Sequence, residues 1–253
     1  MKIKAMDKPG FQVETVSLLY FKNMPLKRAL DQMKIAADRA YRNGANIIIL
    51  SDRGVDENHV AIPSLLAVSA LEQHLVRTRK RTAVSVILES AEPRDVHHFA
   101  ALLGYGARAI NPYLAQETIG QLIDQGLLDK DFGAAVDDYN KAILHGIVKI
   151  ASKMGISTVQ SYQSAQIFEA VGIARDVVDE YFTNTVSRIG GIGLKEIEGL
   201  VDKNHSRAFD PLGLEVDESL DSTGAHKTRS GQEDHMYNPQ TIHLLQESTR
   251  RGD

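Results

Sequence analysis

Apolar residues fall along this chain in two alternating rhythms. Residues 12–21 (QVETVSLLYF) are dense in β-branched and aromatic types, which predicts a strand. After Pro25, Leu26, Ala29, Leu30, Met33, Ala37, Ala40 and Tyr41 recur every three or four positions, which predicts a helix with one buried face. Gly44 suits the left-handed position that closes such a helix. Residues 45–50 (ANIIIL) are apolar on both faces, as a strand of a covered parallel sheet should be.

The same order then returns. A helix is expected over 63–79, a strand over 82–88 (TAVSVIL), a helix begun by Pro93 with Val96, Phe99, Ala100 and Leu103 inward, and a short strand over 107–110 (ARAI). Further helices are expected over 117–127 and 132–154, the second closed by Gly155. A short strand over 156–159 and helices over 165–171, 175–182 and 194–201 follow. Residues 214–235 are rich in Asp, Glu, Ser, Thr, Gly and Lys and lack period, so they read as a linker. Asn238 and Pro239 then open a last helix carrying Ile242, Leu244 and Leu245. The expected division is one α/β domain over 1–213, the linker over 214–235 and a helical segment over 236–253.

Regular alternation of strand and helix implies βα units on a parallel sheet. No more than five strands are visible, too few for a complete eight-stranded barrel. The expected fold class is therefore α/β, either an open sheet or a degenerate, incomplete TIM-barrel-like architecture.

Composition narrows the chemistry. The 253 residues contain no cysteine, so the chain supplies no thiolate nucleophile, no iron–sulfur ligand and no disulfide. A formal net charge of -4 gives no electrostatic case for nucleic acid or an anionic membrane surface. No apolar run approaches the roughly 20 residues that span a bilayer, and no signal-peptide pattern opens the chain. The expected location is the cytoplasm.

In parallel α/β folds the functional edge is the carboxyl end of the strands. Four loops qualify. The first carries Ser51, Asp52 and Arg53, and the second Glu89, Ser90, Glu92, Arg94, His97 and His98. The third carries Asn111 and Tyr113, and the fourth Gln160, Ser161, Tyr162 and Gln163. If the fold holds, these groups converge on one rim. Asp52 and Arg53 fit a substrate site and equally a structural ion pair. Glu89 and Glu92 fit paired carboxylates for acid–base work, but Glu92 precedes a helix start, where the dipole favours an anion anyway. His97 and His98 project about 100° apart on a helix, a poor arrangement for sharing one metal. Gly190-Gly191-Ile192-Gly193 before a helix has the look of a phosphate cradle, yet it meets neither the dinucleotide nor the P-loop spacing and reads as a connector with no strand before it.

Three long segments carry a resemblance. Residues 49–75 (ILSDRGVDENHVAIPSLLAVSALEQHL), 89–119 (ESAEPRDVHHFAALLGYGARAINPYLAQETI) and 149–173 (KIASKMGISTVQSYQSAQIFEAVGI) closely resemble the large subunit of bacterial-type glutamate synthase. Residues 182–194 (FTNTVSRIGGIGL) and 237–250 (YNPQTIHLLQESTR) extend the match. The resemblance implies the later part of the central domain, itself similar to a decayed barrel, plus the lead-in to an FMN domain. It implies a parent enzyme of glutamate biosynthesis and ammonia assimilation, an oxidoreductase with FMN and an iron–sulfur cluster. Its partners would be the amidotransferase and FMN domains. The family's nucleophile and cluster ligands are cysteines, absent here, and the resemblance places its FMN barrel beyond these segments, so no catalytic residue, cofactor or metal is expected in this chain. The implied role is a spacer between two active sites that also walls the path of ammonia. The competing expectation is a stand-alone enzyme or metabolite-binding domain using Asp52, Glu89, Glu92 and His97, or Arg53 or Arg94 for an acidic ligand. Neither the electron donor, NADPH or ferredoxin, nor the oligomeric state follows from the sequence.

Overall fold

The computed structural model describes residues 2–209 and 235–252. It contains two compact units, Met1–Phe209 and Asp210–Asp253. In the first unit a 3₁₀ turn (Lys2–Ala5) leads to β1 (Val13–Ser17), β2 (Leu19–Phe21), α1 (Leu26–Arg42), β3 (Ile47–Ser51) and β4 (His59–Ala61). Next come α2 (Ser64–Arg77), β5 (Ser85–Glu89), α3 (Val96–Gly104), β6 (Ala109–Asn111), α4 (Tyr113–Asp124) and α5 (Phe132–Lys153). The unit ends with α6 (Val159–Tyr162), β7 (Glu169–Ile173), α7 (Arg175–Tyr181), β8 (Val186–Ile192) and α8 (Leu194–Ala208).

Strands β1, β3, β5 and β6 form one parallel sheet in that spatial order. Each new strand of this sheet is added on the same side as the last, which is the succession of a barrel. The sheet stays open, with β1 and β6 as its edges. Alternation along the strands divides the apolar residues between two faces. Val16, Ile48, Leu50, Val86 and Leu88 pack with Leu30 and Met33 of α1 and Leu71 and Leu75 of α2 in the main core. Ile49 and Ile87 project to the opposite face and are nonetheless buried. That two-sided burial explains why residues 47–50 are apolar throughout.

The single strand expected over 12–21 is two strands in different sheets. Leu18 is the hinge between them. Its N–H donates to the Ser51 carbonyl at 2.8 Å, continuing the parallel sheet, and its own carbonyl accepts from Ile62 N–H at 3.0 Å. From there β2 pairs antiparallel with β4, Tyr20 opposite Val60. β4 has three residues and no alternation long enough to read in the sequence.

Three expectations in the C-terminal part of the unit are corrected. Residues 156–159, expected as a strand, hold no strand; Thr158 instead caps the single turn α6 by accepting from Ser161 N–H at 3.3 Å. Residues 165–171, expected as a helix, lead into β7. The Gly190-Gly191 pair does follow a strand, because it lies within β8, which pairs parallel with β7 across a register shift at Val171. A Cβ on Gly191 would sit 2.1 Å from the Gly172 carbonyl oxygen, so only glycine allows the two strands to approach. The helix expected over 117–127 begins earlier, at Tyr113 directly after Pro112, and ends at Asp124.

In the second unit α9 (Pro239–Arg251) starts as its sequence indicates. The Asn238 side chain accepts from Thr241 N–H at 2.9 Å, Pro239 occupies the first helical position, and Gly252 closes the helix at φ +75°. Residues 214–234 of the expected linker lie outside the described residues. Among the described residues no helix is long and apolar enough to cross a membrane.

Candidate functional site

Register brings three of the four candidate loops together. Ser51, Glu89 and Asn111 are Cα partners in one row across the carboxyl ends of β3, β5 and β6. They project to the face away from α1 and α2, the face that carries Ile49 and Ile87. One residue on, Asp52 and Ser90 project to the other face. The ladder extends to them, since Asp52 N–H donates to the Glu89 carbonyl at 3.2 Å and Ser90 N–H to that of Asn111 at 3.1 Å.

Glu89 is the centre of the row. Its carboxylate is 2% exposed and takes two donors on each oxygen. Oε2 accepts from Ser51 Oγ at 2.6 Å and from Lys4 Nζ at 2.5 Å. Oε1 accepts from Arg53 Nε at 3.1 Å and Asn111 Nδ2 at 3.3 Å. A carboxylate has about four lone-pair sites, so no acceptor capacity is left for a substrate proton. Burial opposes ionisation of Glu89, but the hydrogen bonds from Lys4, Ser51 and Arg53 outweigh it and hold the carboxyl at about 2. At neutral pH it is an ionised, fully bonded anion.

Arg53 is engaged on the same side. Besides Glu89 it reaches Glu117 of α4 with Nη1 at 3.1 Å, and its guanidinium lies over the Tyr113 ring, 3.9 Å from the centroid. Burial and the adjacent Asp52 carboxylate keep the Tyr113 phenol above its usual range, hence neutral. Asp52, 3% exposed, accepts from Ser90 Oγ at 2.5 Å and from Ala91 N–H at 3.0 Å. The Asp52–Ser90 contact ties the loop after β3 to the loop after β5.

Glu92 does not pair with Glu89. One of its oxygens takes both the N–H of Ser64, at 2.7 Å, and the Ser64 hydroxyl, capping the first turn of α2 from another loop. The acid–base pair of the sequence expectation is therefore not assembled. Arg94, His97 and His98 line a separate cleft with Glu92 and Ser64. His98 is the third helical residue of α3 and its Nδ1 accepts from Arg94 N–H at 3.1 Å, while Asp95 accepts from His97 N–H at 2.9 Å. Among the described residues no cluster of three His, Asp or Glu side chains is placed to hold a metal ion.

The fourth loop does not reach the rim. Gln160 and Ser161 are exposed on α6, and Tyr162 is buried against Phe168. Gln163 ties to β6 through its Nε2, which donates to the Ala107 carbonyl at 2.9 Å. These residues leave the site because 156–159 is not a strand. The member that sequence reasoning missed is Lys4. It lies in a stretch with no periodicity, and a lone lysine there carries no signal of its partner 85 positions away. Glu117 was assigned only to a helix, and its link to Arg53 likewise leaves no pattern.

A family model of the glutamate synthase central domain matches residues 1–174. The chain is 48% identical over 251 residues to the glutamate synthase [NADPH] large chain of Bacillus subtilis, which covers 99% of this chain and 16% of that protein. It is 37% identical to the glutamate synthase [NADH] of Saccharomyces cerevisiae, over 96% of this chain and 12% of the yeast protein. It is 38% identical to a ferredoxin-dependent glutamate synthase of Synechocystis, over 95% of this chain and 16% of that one. The chain thus spans about one sixth or less of the length of the relatives it matches. The relatives are named for three electron donors, so the likeness does not separate them. On a match that covers this whole parallel sheet and its rim, the chain belongs to the glutamate synthase central-domain family.

Proposed function

We propose that this chain is the structural slab of a glutamate synthase, an oxidoreductase that moves the amide nitrogen of glutamine onto 2-oxoglutarate to give two glutamates. Its task is to hold the amidotransferase and FMN domains in register and to wall part of the route taken by ammonia between them. The proposed division is a central α/β domain over 1–213, a linker over 214–235 and a lead-in helix over 236–253, working in the cytoplasm. The observation that carries this role is the state of Glu89. The most central carboxylate of the rim is ionised, buried and bonded on all four lone pairs by its own chain. Such a group braces strand ends; it neither accepts a proton from a substrate nor binds a cation.

The family's cofactors find no fit in these residues. An iron–sulfur cluster needs thiolates, and the chain has no cysteine. The N-terminus of α8 offers no free Gly193 N–H to a phosphate, because the Glu196 carboxylate takes it at 2.9 Å. On this reading FMN and the cluster belong to other domains of the parent enzyme.

The test uses the purified chain. It should release no glutamate from glutamine, consume no 2-oxoglutarate with a reductant, and show no flavin absorbance after incubation with FMN. One FMN bound per chain, or turnover of either substrate, overturns the proposal.

A further inference from the structure

The carboxyl edge of the main sheet is closed by its own ion pairs, but the amino edge carries a surplus of positive charge. Helices α1, α2 and α3 end there, and the chain turns from each into the next strand. Arg42 occupies the last turn of α1 and Arg77 that of α2. Arg79, Lys80 and Arg81 follow in the loop to β5, and Arg108 stands just before β6.

Two carboxylates meet these six cations. Asp38 accepts from Lys80 Nζ at 2.6 Å, and Glu72 is paired with Arg81. The other four have only neutral partners or none among the described residues. Arg42 donates to the Asp38 carbonyl at 3.3 Å, Arg77 to the Glu180 carbonyl at 2.8 Å, and Arg108 to the Gln163 amide oxygen. The acids of α7 near Arg77 are taken elsewhere, Glu180 by Lys27 at 3.3 Å and Asp179 by Arg175 at 3.8 Å. A helix C-terminus contributes about half a negative charge, so the three helix ends offset less than half of the surplus. Burial and the adjacent Arg81 charge push the Arg108 guanidinium below its usual value, and Glu72 offsets this only in part. Asp38 links Arg42 to Lys80, and Arg81 links these to Arg108, so the cations form one run along the edge.

Arg79 adds an independent sign. Its φ is +59°, in the left-handed region where a residue with a Cβ is strained. Its N–H donates to the Val76 carbonyl at 3.0 Å and that of Lys80 to the Leu75 carbonyl at 2.8 Å, a helix-closing turn that favours glycine. The Arg79 side chain is exposed and bonds nothing among the described residues. An unpaired arginine thus holds a position that the backbone alone would give to glycine, which points to a use outside the fold.

We propose that the amino edge of the sheet is a docking surface for an acidic protein segment, whose carboxylates lie on Arg42, Arg79 and Arg108. Guanidinium forks match carboxylates and are weakly hydrated. A long nucleic acid fits less well, because the chain as a whole carries a net charge of -4. The edge's Tyr41 and Tyr105 rings are also occupied, with Lys80 Nζ 5.6 Å from one and Phe168 5.6 Å from the other. The surface goes beyond the bracing role. It rests on charges at the opposite end of the strands from Glu89, so a flavin or turnover result leaves it standing.

Fluorescence anisotropy on the full 253-residue chain tests it. The probe is a labelled, end-blocked hexaglutamate peptide, with hexaglutamine as its neutral counterpart and hexathymidylate as the phosphate polyanion. Hexaglutamate should bind saturably at low salt and weaken about tenfold or more as salt rises to about 200 mM. Hexaglutamine should not bind, and hexathymidylate should bind more weakly. Arg42→Gln, Arg79→Gln and Arg108→Gln combined should weaken hexaglutamate binding about tenfold or more. All three side chains are exposed, and the urea midpoint of the triple variant checks that it folds. Arg79→Gly should weaken binding a few-fold without lowering the urea midpoint, since glycine relieves the left-handed strain. The proposal fails if hexaglutamate does not saturate by about 1 mM at low salt, if the triple variant binds it as well as the parent chain, or if hexathymidylate binds more tightly.

Discussion

Ser51 and Glu89 stand opposite one another as Cα partners on β3 and β5, and the serine hydroxyl donates to the carboxylate at 2.6 Å. The pair joins the last residues of two neighbouring parallel strands. With Asn111 on the far side and Lys4 and Arg53 closing over it, the contact turns a sheet edge that is functional in many α/β proteins into a closed brace.

Replacing the anion should expose that role. Glu89→Gln leaves Lys4 and Arg53, which are 34% and 44% exposed, without their shared counter-charge. A loss of about 1–3 kcal/mol is expected, as for removing a charged acceptor from hydrogen bonds whose donors still reach water. Urea unfolding followed by circular dichroism measures it. A midpoint equal to the parent's would show that the brace contributes nothing.

The same group sets an acid limit. Its carboxyl titrates at about 2 in the folded chain against an ordinary value of 4.5. A depressed carboxyl stabilises the fold above the unfolded value and loses that contribution as pH falls toward the folded one. Stability should therefore decline from about pH 5 down to about pH 2, by up to about 3 kcal/mol from this group. The difference in unfolding free energy between the parent and Glu89→Gln should shrink over that window. A difference independent of pH would contradict the assignment.

Glu92 and Ser64 should behave as one unit. Glu92→Ala removes the cap of α2 and is expected to cost about 0.5–2 kcal/mol. Ser64→Ala in the Glu92→Ala background should cost less than Ser64→Ala alone, with a coupling of at least about 0.5 kcal/mol in the double-mutant cycle. Additive losses would mean that the contact carries no energy.

Gly190 and Gly191 should differ sharply although they are adjacent. A Cβ at Gly190 meets nothing within 4 Å, whereas at Gly191 it meets the Gly172 backbone. Gly191→Ala should speed hydrogen exchange across β7 and β8, while Gly190→Ala leaves it near the parent rate. Equal rates in the two variants would rule out the close strand approach.

What the sequence could carry and what it could not divide along physical lines. The strands of the main sheet and helices α1, α2, α3 and α5 were legible because each repeats its apolar residues at one period over its length. Gly44 and Asn238 were legible because backbone conformation and capping demand those residue types. β4 was lost because three residues hold no period, and β8 because its glycines erase the strand signature that Val186 and Ile189 would otherwise give. Residues 156–159 look like a strand by propensity, but the Thr158 cap wins locally. The rim itself was half legible. Parallel topology placed Asp52, Glu89, Ser90 and Asn111 at one edge. Their mutual saturation rests on Lys4 and Glu117, whose pairing no local pattern encodes.

Leu18 has a mechanical consequence. One residue hands the chain from the parallel sheet to the antiparallel pair, so the two sheets share a rivet. Displacing Leu18 breaks both bonds and frees the Leu18 N–H and the Ile62 N–H together. Under native conditions these two amides should exchange with solvent as a single event, at a common opening free energy.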